Sequence, residues 1–403
     1  VEKLKIPLVK SAFSNEEETK RALADFIVDA PILSMGEKCF EFEREFAKWQ
    51  GRRHCVLYNS GSSANLALLQ SLENINGDKW DRWLCGDRLN VGISACTFAT
   101  NVMPILQLGF NPVPIDCKIP TLNTTADNLL DKILDKGHDG LEYLFITNLL
   151  GFAGDLNIIR KVCEEEQITL IEDNCESLGT ELTSGKTGNF GLASTFSFFV
   201  AHQMSTIEGG AVCTDDAELA QMLKLVRAHG WDRNLSVDEQ SALRKKHGVN
   251  NFRAHYTFYE SAFNFRPTEI TGFLGIEQLK HLDENIRRRA ENYKLVSEIY
   301  ESNPDFIPIE SSHLSKISAF AIPILCKTPE LRKKYVCNFI GAGIECRPMV
   351  GGNITKQPFY QKKYIHWQNY PGADFLDTCA FYCGNSPDYT TDELLTITKA
   401  MMK

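Results

Sequence analysis

Long apolar runs are missing from this 403-residue chain. None approaches the ~20 residues a helix needs to cross a bilayer. The N-terminal VEKLKIPLVK lacks the apolar core of a signal peptide, and the chain begins with Val rather than Met, which leaves targeting open. Basic charge is also in short supply: 52 acidic residues against 43 basic ones give a formal charge of -9. That is the wrong sign for a protein that covers nucleic-acid phosphates, although a few Arg side chains and backbone N–H groups can still hold a small anion. Closely paired cysteines are absent. The 13 Cys are scattered, with no CxC and no CxxC, and the nearest pair is Cys379 and Cys383. This pattern is expected of reduced thiols in a cytoplasmic protein, not of a disulfide framework. Cys55, Cys117 and Cys213 fall in strand-like runs and read as small buried hydrophobes. Repeats and low-complexity tracts are lacking as well.

What is present is a well-patterned α/β chain, 43% hydrophobic and 24% charged. At ~150 residues per domain it divides into two domains, each able to bury a core without staples. Residues 16–29 and 37–50 carry helical periodicity, with Phe42, Phe46 and Trp49 on one face. The segment CVLYNSGSSANLALLQSL reads as a short strand (55–58), a Gly/Ser turn (59–63) and an apolar helix. Strand-like runs follow at 89–93, 112–115, 142–147, 168–172, 194–199 and 211–214, several separated by helical patterns. That alternation predicts a mainly parallel sheet covered by helices on both faces. One long helix is predicted over 267–300. Beyond it SAFAIPILC, a helical stretch at 329–342 and GIECRP predict a smaller α/β domain. The division is thus 1–300 and 301–403, with a polar surface excursion at 233–256.

Four local features point toward chemistry. In NSGSSAN (59–65) a strand runs through a Gly/Ser turn into a helix, exposing N–H groups where the helix dipole is positive; this is a phosphate cradle or a plain N-cap. In LIEDNCESLG (170–179) a strand ends in Glu172 and Asp173, with Glu176 three residues on. Carboxylates at the carboxyl end of a parallel strand face the crevice where such sheets bind ligands. A buried one needs a cation or a protonated ring nitrogen; a helix-capping acid is the alternative. In STFSFFVAHQMSTIEGGAVCTDD (194–216) His202 sits in a polar loop between two core strands, where an imidazole can act as acid or base near neutral pH. In FNFRPTEI (263–270) Asn264 and Arg266 precede Pro267 at a turn that opens a helix.

In this order and spacing, from Ser34-Met35-Gly36 to GIECRP (343–348), these segments resemble the DegT/DnrJ/EryC1/StrS sugar aminotransferase family, which has the fold-type I architecture of pyridoxal-phosphate enzymes. The resemblance implies that Gly61, Ser62 and Ser63 bind the cofactor phosphate at the helix start, helped by Ser197. It implies that Asp173 pairs with the pyridine nitrogen and that Phe98, in SACTFAT, stacks on the ring. It implies that Asn264 reaches the phosphate of the neighbouring subunit, making the active unit a homodimer with shared sites.

One departure redirects the reading. The family's aminotransferases carry a cofactor-binding Lys five residues after that Ser; here the position is His202, and no Lys occurs between Lys186 and Lys224. The family's usual Gln three residues after the Asp is Glu176. These paired changes are similar to the 3-dehydratase branch, which removes a hydroxyl from nucleotide-linked 4-keto-6-deoxy sugars, and EDNCES, FSFFVAHQMSTIEGG, RAHGWDRN and GIECRP are most similar to the part of it acting on a GDP-linked sugar. The implied chemistry uses pyridoxal and pyridoxamine phosphate, L-glutamate as amino donor, His202 as acid and base, and Glu176 near the cofactor's 3-oxygen. No iron–sulfur cluster is expected, because no Cys lies between Cys213 and Cys326. His229 in RAHGWDRN is a second catalytic candidate or a structural His at a helix end. Arg233 and Arg347 are candidate sugar-diphosphate ligands or ordinary surface residues. Two other readings stand beside this one: an aminotransferase whose Lys was replaced by His, and a non-catalytic cofactor-binding sensor. A single replacement would leave Gln at 176, and a sensor would show decay of the phosphate turn, Asp173, Ser197 and Asn264.

Overall fold

The computed structural model describes residues 5–76, 89–135, 140–364 and 368–402. In chain order it begins with α1 (Glu16–Asp29), α2 (Glu37–Gln50), β1 (His54–Tyr58), α3 (Gly61–Asn76), β2 (Asn90–Ser94), α4 (Ala99–Gln107), β3 (Asn111–Ile115) and α5 (Ala126–Leu134). It continues with β4 (Tyr143–Thr147), α6 (Leu156–Glu165), β5 (Thr169–Asp173), β6 (Glu181–Leu182), β7 (Gly185–Lys186), β8 (Ala193–Ser197), β9 (Gly210–Thr214), α7 (Ala217–Arg227) and α8 (Val237–His247). The last part holds α9 (Glu269–Leu279), α10 (Leu282–Ser302), β10 (Leu314–Lys316), β11 (Ala321–Leu325), α11 (Pro329–Gly341), β12 (Cys346–Pro348), α12 (Pro358–Gln361), α13 (Pro371–Cys379), β13 (Ala380–Gly384) and α14 (Thr391–Met402).

The central sheet has seven strands in the order β1-β9-β8-β5-β4-β2-β3. Four of its neighbouring pairs are parallel, and the two antiparallel pairs both involve β9. The expected mainly parallel sheet is therefore what the chain forms, with one reversed strand. Both faces are covered, and strand alternation assigns residues to them. In β1, Val56 and Tyr58 enter the core under α3 and α7, with Leu68, Leu72 and Leu223. Cys55 and Leu57 enter the opposite core with Phe42 and Phe46 of α2 and Phe196 and Phe198. The predicted helix over 37–50 is thus present, with its aromatic face inward.

A smaller sheet, β11-β13-β12, is antiparallel throughout. It packs on α11 and α14, where Ile322, Ile324 and Phe381 meet Tyr335, Phe339, Ile397 and Met401. Residues on both sides of the boundary expected at 300 share this core: Val296, Ile299 and Tyr300 of α10 and Ile6 near the N-terminus belong to it. A third sheet pairs β10 with β6, again across that boundary. The helix predicted over 267–300 is two helices, α9 and α10, separated at Lys280–His281. Neither Pro nor Gly marks the break, so periodicity alone reads it as continuous. Packing produces it: Ile276 and Leu279 sit against the α2 core, while Val296 and Ile299 join the small sheet. In the polar excursion, α8 has no buried residue, and Arg244 ties it to Asp232 at 2.6 Å.

Candidate active site

The parallel strands present their carboxyl ends along one edge of the sheet, and β1 ends at the same edge because β9 reverses twice between it and β8. There the β1–α3 turn is built around Ser60. Its Oγ accepts from Ser63 N at 3.1 Å, and its carbonyl accepts from Ala64 N at 3.0 Å. Among the described residues the N–H groups of Gly61 and Ser62 donate to no acceptor, and Ser62 is exposed. Two free N–H groups at the positive end of a four-turn helix suit an anion. A Cβ on Gly61 would lie 2.8 Å from Ser197 Cβ and 3.1 Å from Cys175 Sγ. The close approach that requires Gly61 is the one that brings the turn against Ser197.

Glu172 and Asp173 are adjacent on β5 and so point to opposite faces. Glu172 is fully buried and pins the loop before β8, accepting from Gly188 N at 2.7 Å, Phe190 N at 2.8 Å and Gly191 N at 2.9 Å; its role is structural. Asp173 is 4% exposed and takes only neutral donors: Asn65 Nδ2 at 2.9 Å, Asn101 Nδ2 at 2.7 Å and Cys175 N at 2.8 Å. Hydrogen bonds to charged groups are worth about 1.5–3 kcal/mol each, so three offset much of the cost, several kcal/mol, of burying a carboxylate. They leave the charge itself unmatched by any cation among the described residues. A protonated pyridine nitrogen is the kind of partner this arrangement accepts. Asn101 is in turn linked to Thr97, whose Oγ lies 2.6 Å from that of Thr147. Phe98, at the start of α4, is 53% exposed and free to lie on a ring.

Glu176 follows Asp173 by one turn. Its Oε2 accepts from Leu150 N at 2.8 Å, and its carboxyl is pushed up to about 7, chiefly by desolvation, with the Asp173 charge adding to the rise. His202 closes a tight turn, its N–H donating to Phe199 O at 2.9 Å. The imidazole lies 5.0 Å from the Phe320 ring and 6.3 Å from that of Phe199. Its Nδ1 is buried with no hydrogen-bond partner. Burial, and then the Arg289 charge, lower its pKa to about 4, so the ring is neutral at pH 7 and able to take a proton. Gln203, the next residue, ties this loop to the Glu176 carbonyl at 2.7 Å and the Ser318 carbonyl at 3.1 Å.

Gly61, Ser62, Ser63, Asp173, Glu176, Ser197 and His202 therefore gather along one edge of the sheet. Asn264 and His229 lie beside each other: Ala228 and Asn264 form a β-bridge, His229 N donates to Phe263 O at 2.7 Å, and Phe265, next to Asn264, accepts from Asn59 N at the β1–α3 turn at 3.0 Å. His229 has φ 60 and its ring lies 4.8 Å from that of Trp231. Asn264 is exposed and accepts from Arg266 Nε at 2.9 Å. Arg233 stacks over Trp231 at 3.9 Å and donates to His255 O. Arg347, on β12, pairs with Glu345 at 2.6 Å and lies across from Tyr382. Sequence reasoning missed Asn65, Asn101, Gln203, Arg289 and Phe320. A signal existed for Asn65, four residues after Gly61 and so on the same helix face; Arg289 and Phe320 had none, because they arrive from distant segments.

The donor set fits pyridoxal phosphate: a helix start with free N–H groups at one end, and a buried carboxylate without a cation at the other. A model of the DegT/DnrJ/EryC1/StrS aminotransferase family matches residues 14–402. GDP-4-keto-6-deoxy-D-mannose 3-dehydratase of Yersinia pseudotuberculosis is 34% identical over 384 residues, 95% of this chain and 94% of that one. A crystal structure of a GDP-4-keto-6-deoxymannose-3-dehydratase (ColD) variant with bound GDP-perosamine matches with TM-score 0.87 at 30% identity, covering 98% of this chain and 100% of that one. A second structure of that enzyme, with a trapped PLP-glutamate geminal diamine, gives the same TM-score of 0.87, identity of 30% and coverage of 98% and 100%.

Proposed function

The chain belongs to the DegT/DnrJ/EryC1/StrS aminotransferase family, and from that premise we propose that it is a pyridoxal-phosphate-dependent 3-dehydratase whose substrate is a nucleotide-linked 4-keto-6-deoxy sugar, GDP-4-keto-6-deoxy-D-mannose. The observation that carries this reading is the residue five positions after Ser197. It is a histidine, kept neutral by burial and by the Arg289 charge, with the rings of Phe320 and Phe199 at 5.0 and 6.3 Å. A Lys there would bind the cofactor covalently and move protons for amine transfer. A His does only the second.

When bound, the cofactor supplies an electron sink and, in its pyridoxamine form, an amine for the C4 ketone, with L-glutamate as donor. The N–H groups of Gly61 and Ser62, with the hydroxyls of Ser63 and Ser197, hold its phosphate; the Ser63 N–H, expected to join them, is taken by Ser60 Oγ. Asp173 keeps the ring nitrogen protonated, and Phe98 covers the ring. His202 takes a proton from C4′ and delivers it to the departing C3 hydroxyl, which is a poor leaving group until protonated. Glu176, with a pKa near neutrality, bonds the 3-oxygen. The net change removes the C3 hydroxyl, with glutamate as reductant and ammonia released. Asn264, with His229 beside it, serves the site of a second subunit. Arg233 and Arg347 take the sugar diphosphate, Arg347 after release from Glu345.

The test is incubation with pyridoxal phosphate, L-glutamate and GDP-4-keto-6-deoxy-D-mannose, with the product identified by mass spectrometry and NMR. A 3-deoxy-4-keto sugar with ammonia is expected. A 4-amino sugar would return the chain to the aminotransferases.

A further inference from the structure

Arg289 is a buried cation without a carboxylate. It lies on α10, is 6% exposed, and its guanidinium donates to three backbone carbonyls. Nη1 reaches Asn385 O at 2.6 Å and Phe320 O at 2.9 Å, and Nη2 reaches His202 O at 3.2 Å. Nε has no partner. The three carbonyls belong to the β8–β9 loop, the residue before β11 and the residue after β13, which are remote in sequence. Asn385 answers the contact, donating to Arg289 O at 3.0 Å and Ala319 O at 2.8 Å. The Phe320 ring is the one that lies 5.0 Å from the His202 imidazole.

Side chains hold the residues after His202: Met204 is buried in the core with Phe42 and Phe198, and Gln203 bonds the Glu176 and Ser318 carbonyls. His202 and Arg289 both border a small, partly open cavity of about 40 Å³, lined also by Ala12, Ser14, Asn285 and Asp388. At His202 itself the loop borders this cavity, and there the guanidinium supplies the bond to the His202 carbonyl. An aliphatic residue on α10 would avoid burying a charge, which costs several kcal/mol per ion after relaxation. It could not hold three carbonyls of three segments in one planar fork.

We propose that Arg289 is a positioning residue for the reaction: by gripping the carbonyls of His202 and Phe320 together, it fixes the imidazole against its aromatic rest. This deepens the reading of His202 as the proton carrier and rests on it. The charge acts in the same sense as the geometry. Arg289 disfavours the imidazolium, second to burial itself, and at a pKa of about 10 it stays charged at neutral pH. The titratable groups around the loop are Glu208 on the loop itself, Asp173 and Glu176 from the end of β5 onward, and Asp388 and Tyr389 after β13. Asp388 shares the cavity and favours the charged form of Arg289.

The experiment compares the holoenzyme with Arg289→Lys, Arg289→Met and Phe320→Leu. Labelled histidine is followed by NMR, with His202→Asn assigning the resonance. Arg289→Met should raise the His202 titration by about one pH unit. Arg289→Lys keeps the charge but not the fork. It should leave the titration low while kcat falls about tenfold or more and KM for the sugar nucleotide stays within about twofold. A wild-type titration in Arg289→Met, with kcat within about twofold of wild type, overturns the proposal. Should both Arg289 variants fail to fold, Phe320→Leu decides: a lower kcat at unchanged KM supports it, and an unchanged kcat overturns it. If the wild-type enzyme shows no turnover, the proposed reaction fails, and the His202 titration still decides the role of Arg289.

Discussion

Glu176 and His202 have pKa values displaced in opposite directions by the same cause, removal from water. The Glu176 carboxyl rises to about 7 and the His202 imidazole falls to about 4. Between pH 4.5 and 7 the folded Glu176 holds a proton that the unfolded chain has released, so its contribution to stability falls as pH rises. Between pH 4 and 6.5 the folded His202 lacks a proton that the unfolded chain holds, so its contribution rises with pH. The two oppose each other over most of that window. Glu176→Gln removes one of them. The Tm of Glu176→Gln minus that of wild type, both without added ligand, should increase from pH 4.5 to pH 7 and then level off. A difference independent of pH would mean that Glu176 ionises as an ordinary carboxylate. At this scale the sequence was informative about identity and silent about state. The replacement of Lys by His is visible in the order of residues. The neutrality of His202 depends on burial by the fold and on the charge of Arg289, more than 80 positions away.

At the scale of the element, α3 does two jobs. Its first turn offers the N–H groups of Gly61 and Ser62, and one turn later Asn65 bonds Asp173. If the proposed assignment holds, one helix sets both the phosphate end and the ring end of the site, and its start cannot shift without moving both. Gly61→Ala places a Cβ 2.8 Å from Ser197 Cβ, closer than carbon atoms tolerate. The variant should fold, since the clash is local, but should lose cofactor affinity by about tenfold or more. Absorbance of bound pyridoxal phosphate after dialysis measures this, and full retention would remove the β1–α3 turn from the phosphate site. The strand, turn and helix of this unit were readable because each signal is local: apolar run, Gly/Ser turn, apolar helix. The break between α9 and α10 was not, because packing on two separate cores produces it.

At the scale of the molecule, the open question is which chain completes each site. Phe265 bonds Asn59 at the β1–α3 turn, and Asn264 beside it is exposed, as a residue facing a second subunit would be. If it serves the neighbouring site, Asp173→Asn and Asn264→Ala each disable a dimer, yet a hybrid of the two contains one intact site. Mixing the two inactive proteins under conditions that exchange subunits should restore about a quarter of wild-type activity per site. No recovery in demonstrated hybrids would place Asn264 in the site of its own chain. Among the described residues no helix is long and apolar enough to cross a membrane.

The order of strands and helices, the Gly/Ser turn before α3, the acids that end β5 and the His five residues after Ser197 were all legible along the chain, because each depends on neighbours within a few residues. The pairing of β9 against β8 and the split of α9 from α10 were not. Nor were the amides that hold Asp173 and the guanidinium that grips the His202 loop. These belong to contacts between segments that only folding brings together, and a buried charge or a desolvated imidazole has no mark in local sequence. Its environment is supplied by residues whose spacing carries no period.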